Sequence, residues 1–522
     1  MYISPQVFQT MAVTVLATCM TTAWAAAPQF DRVFDSHMVL PHGKPLTISG
    51  TADGKDKVSV TFAGKTQTAT PDAKGQWSVK FPALEPNSKG QTLTATQKGE
   101  TTTLDDILIG EVWLASGQSN MLFRLNQCAE GKEDIANSAN EQLRLLNSVP
   151  QVHTNAQAYN DDNFSKLTPE GFYTGTWAVS SPSSSGPCSA VAYYFGQGLQ
   201  KGLDMPVGII HSSLGGSEMV AWLPPTVING KSEYSSCRGN NWLDSKIISD
   251  WVRGRAKQNI GSKLSSGEPN HPYKPAFLYE SGIEWVTKLP ISGILWYQGE
   301  SDAEINDSKQ NSMQLGDLID SWRQAFGDPN SPFVQIQLPR INDKGAIRAY
   351  WPEFREVQAY QSKAKPNVLT INTIDLGSTD SNVHPNHKTQ VGERAANATL
   401  AKVYGKDVPA PGPGFKQAKV KGKEVFVSFT SNKLKTSDGE APKHFEVAGA
   451  DGEFHPADAK IAPKGYIVVS SSDVTAPKYV RYCWATFVEP NLVDEEGLPA
   501  EAFRTDHQDI LPPIAKPRAK KK

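Results

Sequence analysis

Cysteine is scarce: the 522 residues hold five, and with Cys19 in the first apolar stretch the remainder are Cys128, Cys188, Cys237 and Cys483. No Cys-x-x-Cys or Cys/His spacing occurs, so the usual structural zinc modules are excluded and no metal is expected. In an exported protein the four cysteines allow up to two disulfides, in three pairings. Long apolar runs are missing too. Beyond the N-terminus nothing approaches the ~20 continuous apolar residues of a membrane helix, so no membrane span is expected. Nor does either charge dominate, since 52 Lys and Arg face 54 Asp and Glu for a net charge of −2. That balance implies neither a nucleic acid nor a membrane surface as partner. The basic cluster Lys516 to Lys522 reads as a solvated tail, 513–522.

What is present begins with an export signal. Met11 to Cys19 is mostly apolar and too short to span a bilayer, and Ala23-Trp24-Ala25 puts small residues where a signal peptidase reads. Residues 1–25 are therefore expected to be removed, leaving a soluble protein in the periplasm or secreted, with lipidation at Cys19 as the alternative. The length suggests two to four domains at ~100–200 residues each. Residues 26–104 carry short alternating runs, Leu46 to Gly50, Val58 to Phe62, Trp77 to Phe81 and Leu93 to Thr96, broken by turn residues, which predicts a small N-terminal β-sandwich.

From 105 to 405 the pattern becomes α/β. Pro206 to Ile210, Ile294 to Tyr297, Phe333 to Ile336 and Val368 to Ile371 read as buried parallel strands. Between them, Val191, Tyr194, Phe195 and Leu199 share one helical face, as do Leu315, Leu318, Ile319 and Trp322. Strands alternating with helices predict a parallel sheet covered on both faces, with the site at the carboxyl ends of the strands. Residues 225–272 lapse into Ser, Asn, Gly and Lys with scattered Trp, an insertion long enough for a lid or substrate wall. A C-terminal β region, 406–512, follows.

Chemistry concentrates at Glu111 to Met121. The apolar run Val112 to Ala115 breaks into small and polar residues before Met121 to Leu125, predicting strand, tight turn and helix. Such a turn lifts Ser119 clear of the sheet, near backbone N–H groups that favour the charge developing when a serine attacks a carbonyl. The plainer alternative is that Ser119 only caps the helix. A serine nucleophile needs a base. His384 follows the strand at 368–374 and a polar turn, and Pro385 holds it away from helical conformation; His387 is the rival by position.

Gly117-Gln118-Ser119-Asn120-Met121, Gly215-Gly216-Ser217 leading to Trp222, Trp296-Tyr297-Gln298-Gly299-Glu300-Ser301, and His384-Pro385 with Lys388 and Gly392 resemble the ordered blocks of the sialate O-acetylesterases, a family of SGNH hydrolases. The resemblance runs from about Phe34 to about Thr505 and implies a three-layer α/β/α catalytic domain flanked by β-sandwich-like regions. It implies Ser119 as nucleophile, His384 as base, and an oxyanion site from the Ser119 N–H, Gly215 or Gly216, and Gln298, with no cofactor. Glu300 is expected to brace its loop. An acid two or three residues before the histidine is common in this class, but Asn382 and Ser381 stand there and the nearest acid is Asp380. A Ser-His dyad oriented by Asn382 therefore competes with a triad recruiting Asp380, and we favour the dyad. The implied activity is hydrolysis of acetyl esters on sialic acids or sialoglycans through an acetyl-serine. Its alternatives are an esterase of acetyl xylan or another glycan, a lipase or thioesterase of the same superfamily, and a noncatalytic glycan-binding protein with a relic site. The sialate carboxylate favours a nearby arginine, with Arg124, Arg238 and Arg340 as candidates.

Overall fold

A computed structural model describes residues 26–265, 270–409, 411–506 and 511; the expected export signal, 1–25, and basic tail, 513–522, lie outside them. The chain is mixed α/β, organised on strand β1, Glu100–Gly117. Its first half pairs antiparallel with Asn87–Gln97 of the N-terminal region, and its second half lies at the centre of a parallel sheet. The strand thus runs unbroken through position 104, where the composition changes. The sheet adds β2 (Asn140–Asn147), β3 (Trp177–Ser180), β4 (Val207–Ser213), β5 (Gly293–Tyr297), β6 (Phe333–Ile336) and β7 (Val368–Ile371), in the order β3-β2-β4-β1-β5-β6-β7. Only β3 runs antiparallel to its neighbour.

Strand alternation divides the core. Trp113, Ala115, Val207, Ile209, Leu295 and Tyr297 meet helices α2 (Ala190–Leu203) and α6 (Thr389–Lys402) on one face. Val112, Leu114, Ile210, Ile294 and Trp296 belong to the core on the other, with α4 (Ser308–Ala325) and α5 (Trp351–Ala364). The expected faces are buried: Val191, Tyr194, Phe195 and Leu199 of α2, and Leu315, Leu318, Ile319 and Trp322 of α4. Each large apolar side chain buried there contributes about 1.5–3 kcal/mol. Ser189 starts α2 by accepting the Ala192 N–H at 3.2 Å. Gly392 lets α6 approach α2, since a Cβ there would lie 2.5 Å from Tyr194 Cβ.

Strand β2 had no clear sequence signal because its centre carries a charge. Arg144 is buried, donating to Asp106 at 2.6 Å and to the His37 carbonyl at 3.1 Å, a pairing that only the fold supplies. The polar stretch at 225–272 also holds more regular structure than its composition suggests. It includes α3 (Asp250–Ile260), capped by Ser249, with Tyr234, Trp242 and Val252 buried beneath.

The possible disulfides do not form. Cys128, Cys188, Cys237 and Cys483 are all free and buried. Cys237 and Cys483 sit in separate cores, while Cys128 and Cys188 each turn back to a local carbonyl, Arg124 and Ser184. Burial pushes their thiols up, to about 11 for Cys128 and about 12 for Cys188. Residues 415–504 add a seven-stranded sheet with antiparallel pairing throughout. Among the described residues no helix is long and apolar enough to cross a membrane.

Candidate active site

Three of the four sequence blocks meet because of strand register. Gly117 at the end of β1 lies opposite Ser213 of β4 on one side and Tyr297 of β5 on the other. The chain leaves all three strands at the same level, so Ser119, Gly215 and Gln298 emerge together at their carboxyl ends. Gly117 has φ 145°, and a Cβ there would lie 2.0 Å from the Tyr297 carbonyl oxygen, which only glycine avoids. The turn is pinned by Gln118 N–H to Tyr297 O at 3.0 Å and Leu214 N–H to Gly117 O at 3.1 Å.

Ser119 is the first residue of α1, Ser119–Leu122; Gln118 occupies the cap position and no side chain caps the helix. The capping alternative for Ser119 therefore fails, and as first helical residue its N–H has no intrahelical acceptor. The helix is a single turn, shorter than expected, so its dipole adds little and the individual N–H groups matter more. Gly215 packs against the serine, with an added Cβ at 3.6 Å from Ser119 Cβ. Gly216 has φ 73°, and the Gly215 carbonyl accepts the Tyr273 hydroxyl at 2.9 Å.

Gln298 is brought to the site, but its amide does not fit the expected role of third donor. Nε2 donates to the Asp302 carboxylate and to Ser217 O at 3.2 Å, which uses both its hydrogens, and the side chain is buried. Asp302 also accepts the Met219 N–H at 3.2 Å, and burial pushes its carboxyl up to about 7. Gln298 thus ties the third block to the second.

The fourth block arrives through Asn120. Its Nδ2 donates to Glu300 and, at 3.0 Å, to the carbonyl of Val383, the residue before His384; its Oδ1 accepts Lys388 Nζ at 2.6 Å. The His384 ring lies 6.5 Å from that of Phe123, just past α1. Its Nε2 is buried without a hydrogen-bond partner among the described residues. Burial, then the Lys388 and Arg348 cations, lower its pKa to about 4, so the ring is neutral at neutral pH. Lys388 is buried beside the Phe123 and Tyr297 rings, and desolvation lowers its ammonium to about 7. Glu300 is buried, its carboxylate accepts from Asn120 Nδ2, and burial pushes its pKa up.

Neither candidate third member reaches the imidazole. Asn382 accepts the His384 N–H and donates to the His384 carbonyl, both at 3.0 Å, while Asp380 is exposed and accepts the Asn382 N–H at 3.0 Å. The two build the turn, and no hydrogen bond from either goes to the ring. His387 is exposed and paired with Glu130 at 2.6 Å. Of the candidate arginines, Arg238 donates to the Ile228 and Lys231 carbonyls and Arg340 to the Val488 carbonyl, while Arg124 is exposed. Asn120 and Lys388 lie within the quoted blocks, but only the fold joins Lys388 to Asn120, and Asn120 to Glu300 and the Val383 carbonyl. Asp302 and Arg348 had no sequence signal.

Residues 248–401 match the family model described as carbohydrate esterase, sialic acid-specific acetylesterase. The chain is 24% identical over 500 residues to the sialate O-acetylesterase of Mus musculus, covering 88% of this chain and 90% of that protein. To the Homo sapiens sialate O-acetylesterase it is 26% identical over 360 residues, 65% of this chain and 62% of the relative. A solved carbohydrate acetylesterase from Xanthomonas citri superposes with a TM-score of 0.77 at 29% identity, covering 92% of this chain and all of that one.

Proposed function

We propose that this chain, which belongs to the sialate O-acetylesterase family of carbohydrate esterases, hydrolyses acetyl esters on sialic acids through an acetyl-serine intermediate. The observation that carries the reading is the register-locked meeting of Ser119 with Gly215, joined to the His384 turn by the bonds of Asn120. His384 Nε2 takes the Ser119 hydroxyl proton as Oγ attacks the acetyl carbonyl. The oxyanion is held by the N–H groups of Ser119 and of Gly215 or Gly216. Collapse breaks the ester bond, and the sugar oxygen leaves with the proton from His384. Water, deprotonated by the same nitrogen, then releases acetate and restores the serine. Ser119 and His384 act as a dyad, because Asn382 and Asp380 spend their hydrogen bonds on the backbone of the turn.

The parallel sheet with helices on both faces supports placing residues 105–405 in the SGNH three-layer class, flanked by β-sandwich-like regions at 26–104 and 406–512. Export is part of the same reading, and N-terminal sequencing of the mature protein should begin near Ala26. The functional test is acetate release from 9-O-acetylated sialic acid beside acetylated xylan. Faster turnover of the sialate, abolished in Ser119→Ala, is expected. Cleavage of xylan alone would make this a neutral-glycan esterase, and cleavage of neither would leave a relic site that binds glycan.

A further inference from the structure

Trp251 and Arg255 lie one turn apart on α3, a rigid helix tied to the second sequence block: Ser249 at its cap donates its N–H to Glu218 at 2.8 Å. Trp251 is 37% exposed, the most open tryptophan among the described residues. It is also next to the site. A Cβ added at Gly216 would lie 2.8 Å from the six-membered ring of its indole, and Gly215 in turn packs on Ser119. The Arg255 guanidinium carbon sits 5.3 Å from the Trp251 ring centroid, with Nη1 donating to the Thr154 carbonyl at 2.9 Å. The Thr154 hydroxyl meets the Tyr273 hydroxyl, which also meets the Gly215 carbonyl, both at 2.9 Å. An exposed aromatic face and a pre-oriented guanidinium with donors to spare therefore stand together beside the proposed nucleophile.

We infer that Trp251 and Arg255 form the sugar subsite, the indole stacking on the pyranose ring and Arg255 holding the sialate carboxylate. The inference rests on the sialate reading above and adds the residues that would choose that sugar. A planar guanidinium suits a carboxylate, and one already stacked and anchored loses little freedom on binding. Other arginines are less suited: Arg238 spends both Nε and Nη2 on the Ile228 and Lys231 carbonyls, Arg340 is directed to the Phe487 ring and the Val488 carbonyl, and Arg348 donates to Glu300 O and pairs with Glu304 at 3.5 Å. Arg124 is exposed, and no acceptor among the described residues orients its guanidinium.

The test compares kcat/KM for acetate release from 9-O-acetylated sialic acid and from its C1 amide, which keeps the sugar and removes the charge. Wild type should favour the acid roughly 10- to 100-fold, the value of a charge-assisted hydrogen bond. Arg255→Met should bring that ratio near one, chiefly through KM, whereas Arg124→Met should keep it. Trp251→Ala should raise KM for acid and amide alike by about tenfold, with Trp251→Phe recovering part of the loss, as expected of an aromatic platform. Selectivity persisting in a folded Arg255→Met protein, or lost in Arg124→Met, overturns the assignment of the carboxylate. Equal rates on acid and amide in wild type overturn it while leaving the acetylesterase intact. Failure on both sugars with cleavage of acetylated xylan removes the sialate reading and the subsite together.

Discussion

The pH dependence of this enzyme should depart from that of an ordinary histidine-assisted serine hydrolase, because the charges around His384 are cations. Burial lowers its pKa to about 4, with Lys388 and Arg348 pushing the same way. A base with that pKa is about 97% neutral at pH 5.5, whereas one at the ordinary ~6.5 is only about 10% neutral. Activity is lost as the ring protonates, so kcat/KM should hold near its neutral-pH value down to about pH 5 and fall through about pH 4. Lys388, lowered to about 7, carries its charge throughout that fall. Arg348→Met removes one cation and should move the acid limb upward. Lys388→Met should move it the same way, but it also leaves buried Asn120 and Glu300 without their cation, so folding must be checked by circular dichroism. The assay is kcat/KM on a soluble acetyl ester from pH 4 to 8, with each sample returned to pH 7 to show that activity recovers. An acid limb at 6.5 or above would refute the reasoning, since a buried imidazole beside two cations returns to that value only if an opposing charge, such as a carboxylate turned onto the ring, offsets them. Asp380→Asn would then cost on the order of 10⁴ in turnover, as loss of the triad acid does, instead of the expected change of less than about threefold.

Ser119→Ala and His384→Ala should each lower turnover by several orders of magnitude in folded protein, because nucleophile and base act as a unit; near-normal rates in Ser119→Ala would sink the mechanism. Asp302 is buried with its pKa raised to about 7, so the wild-type fold loses stability as pH climbs from about 4 to about 7 and this carboxyl is forced to ionise. Asp302→Asn cannot ionise, so its melting temperature relative to wild type should improve across that window, and a difference flat with pH would refute the assignment. Gly216→Ala places a Cβ 2.4 Å from the Tyr273 hydroxyl at φ 73°, and should cost at least roughly tenfold in kcat/KM by displacing the loop beside Ser119. Full activity would show that the loop tolerates the shift.

The strands of the parallel sheet were legible in the chain because the buried β run Ile294 to Tyr297 is aliphatic and aromatic throughout and Phe333 to Ile336 is broken only by Gln335, and helix α4 because its buried face repeats at helical spacing. Ser119 and His384 were legible because small and polar residues follow strand ends there, whereas Gly215 and Gln298 were legible only through the resemblance of their blocks to the family's. Strand β2 was not, because its buried Arg144 pairs with Asp106, 38 residues away, and no local pattern carries that information. The tertiary structure alone decided what each motif residue can do. It spent the Gln298 amide on Asp302 and Ser217, turned Asn382 and Asp380 to the backbone of the His384 turn, and buried Lys388 against Asn120. Hydrogen-bond capacity and charge are properties of residue type, but which partner satisfies them depends on contacts between segments remote in sequence. For the same reason Trp251 and Arg255 read as part of a polar insertion in the chain and come beside the Gly215-Gly216 turn that packs on Ser119 only once α3 docks against Gly216.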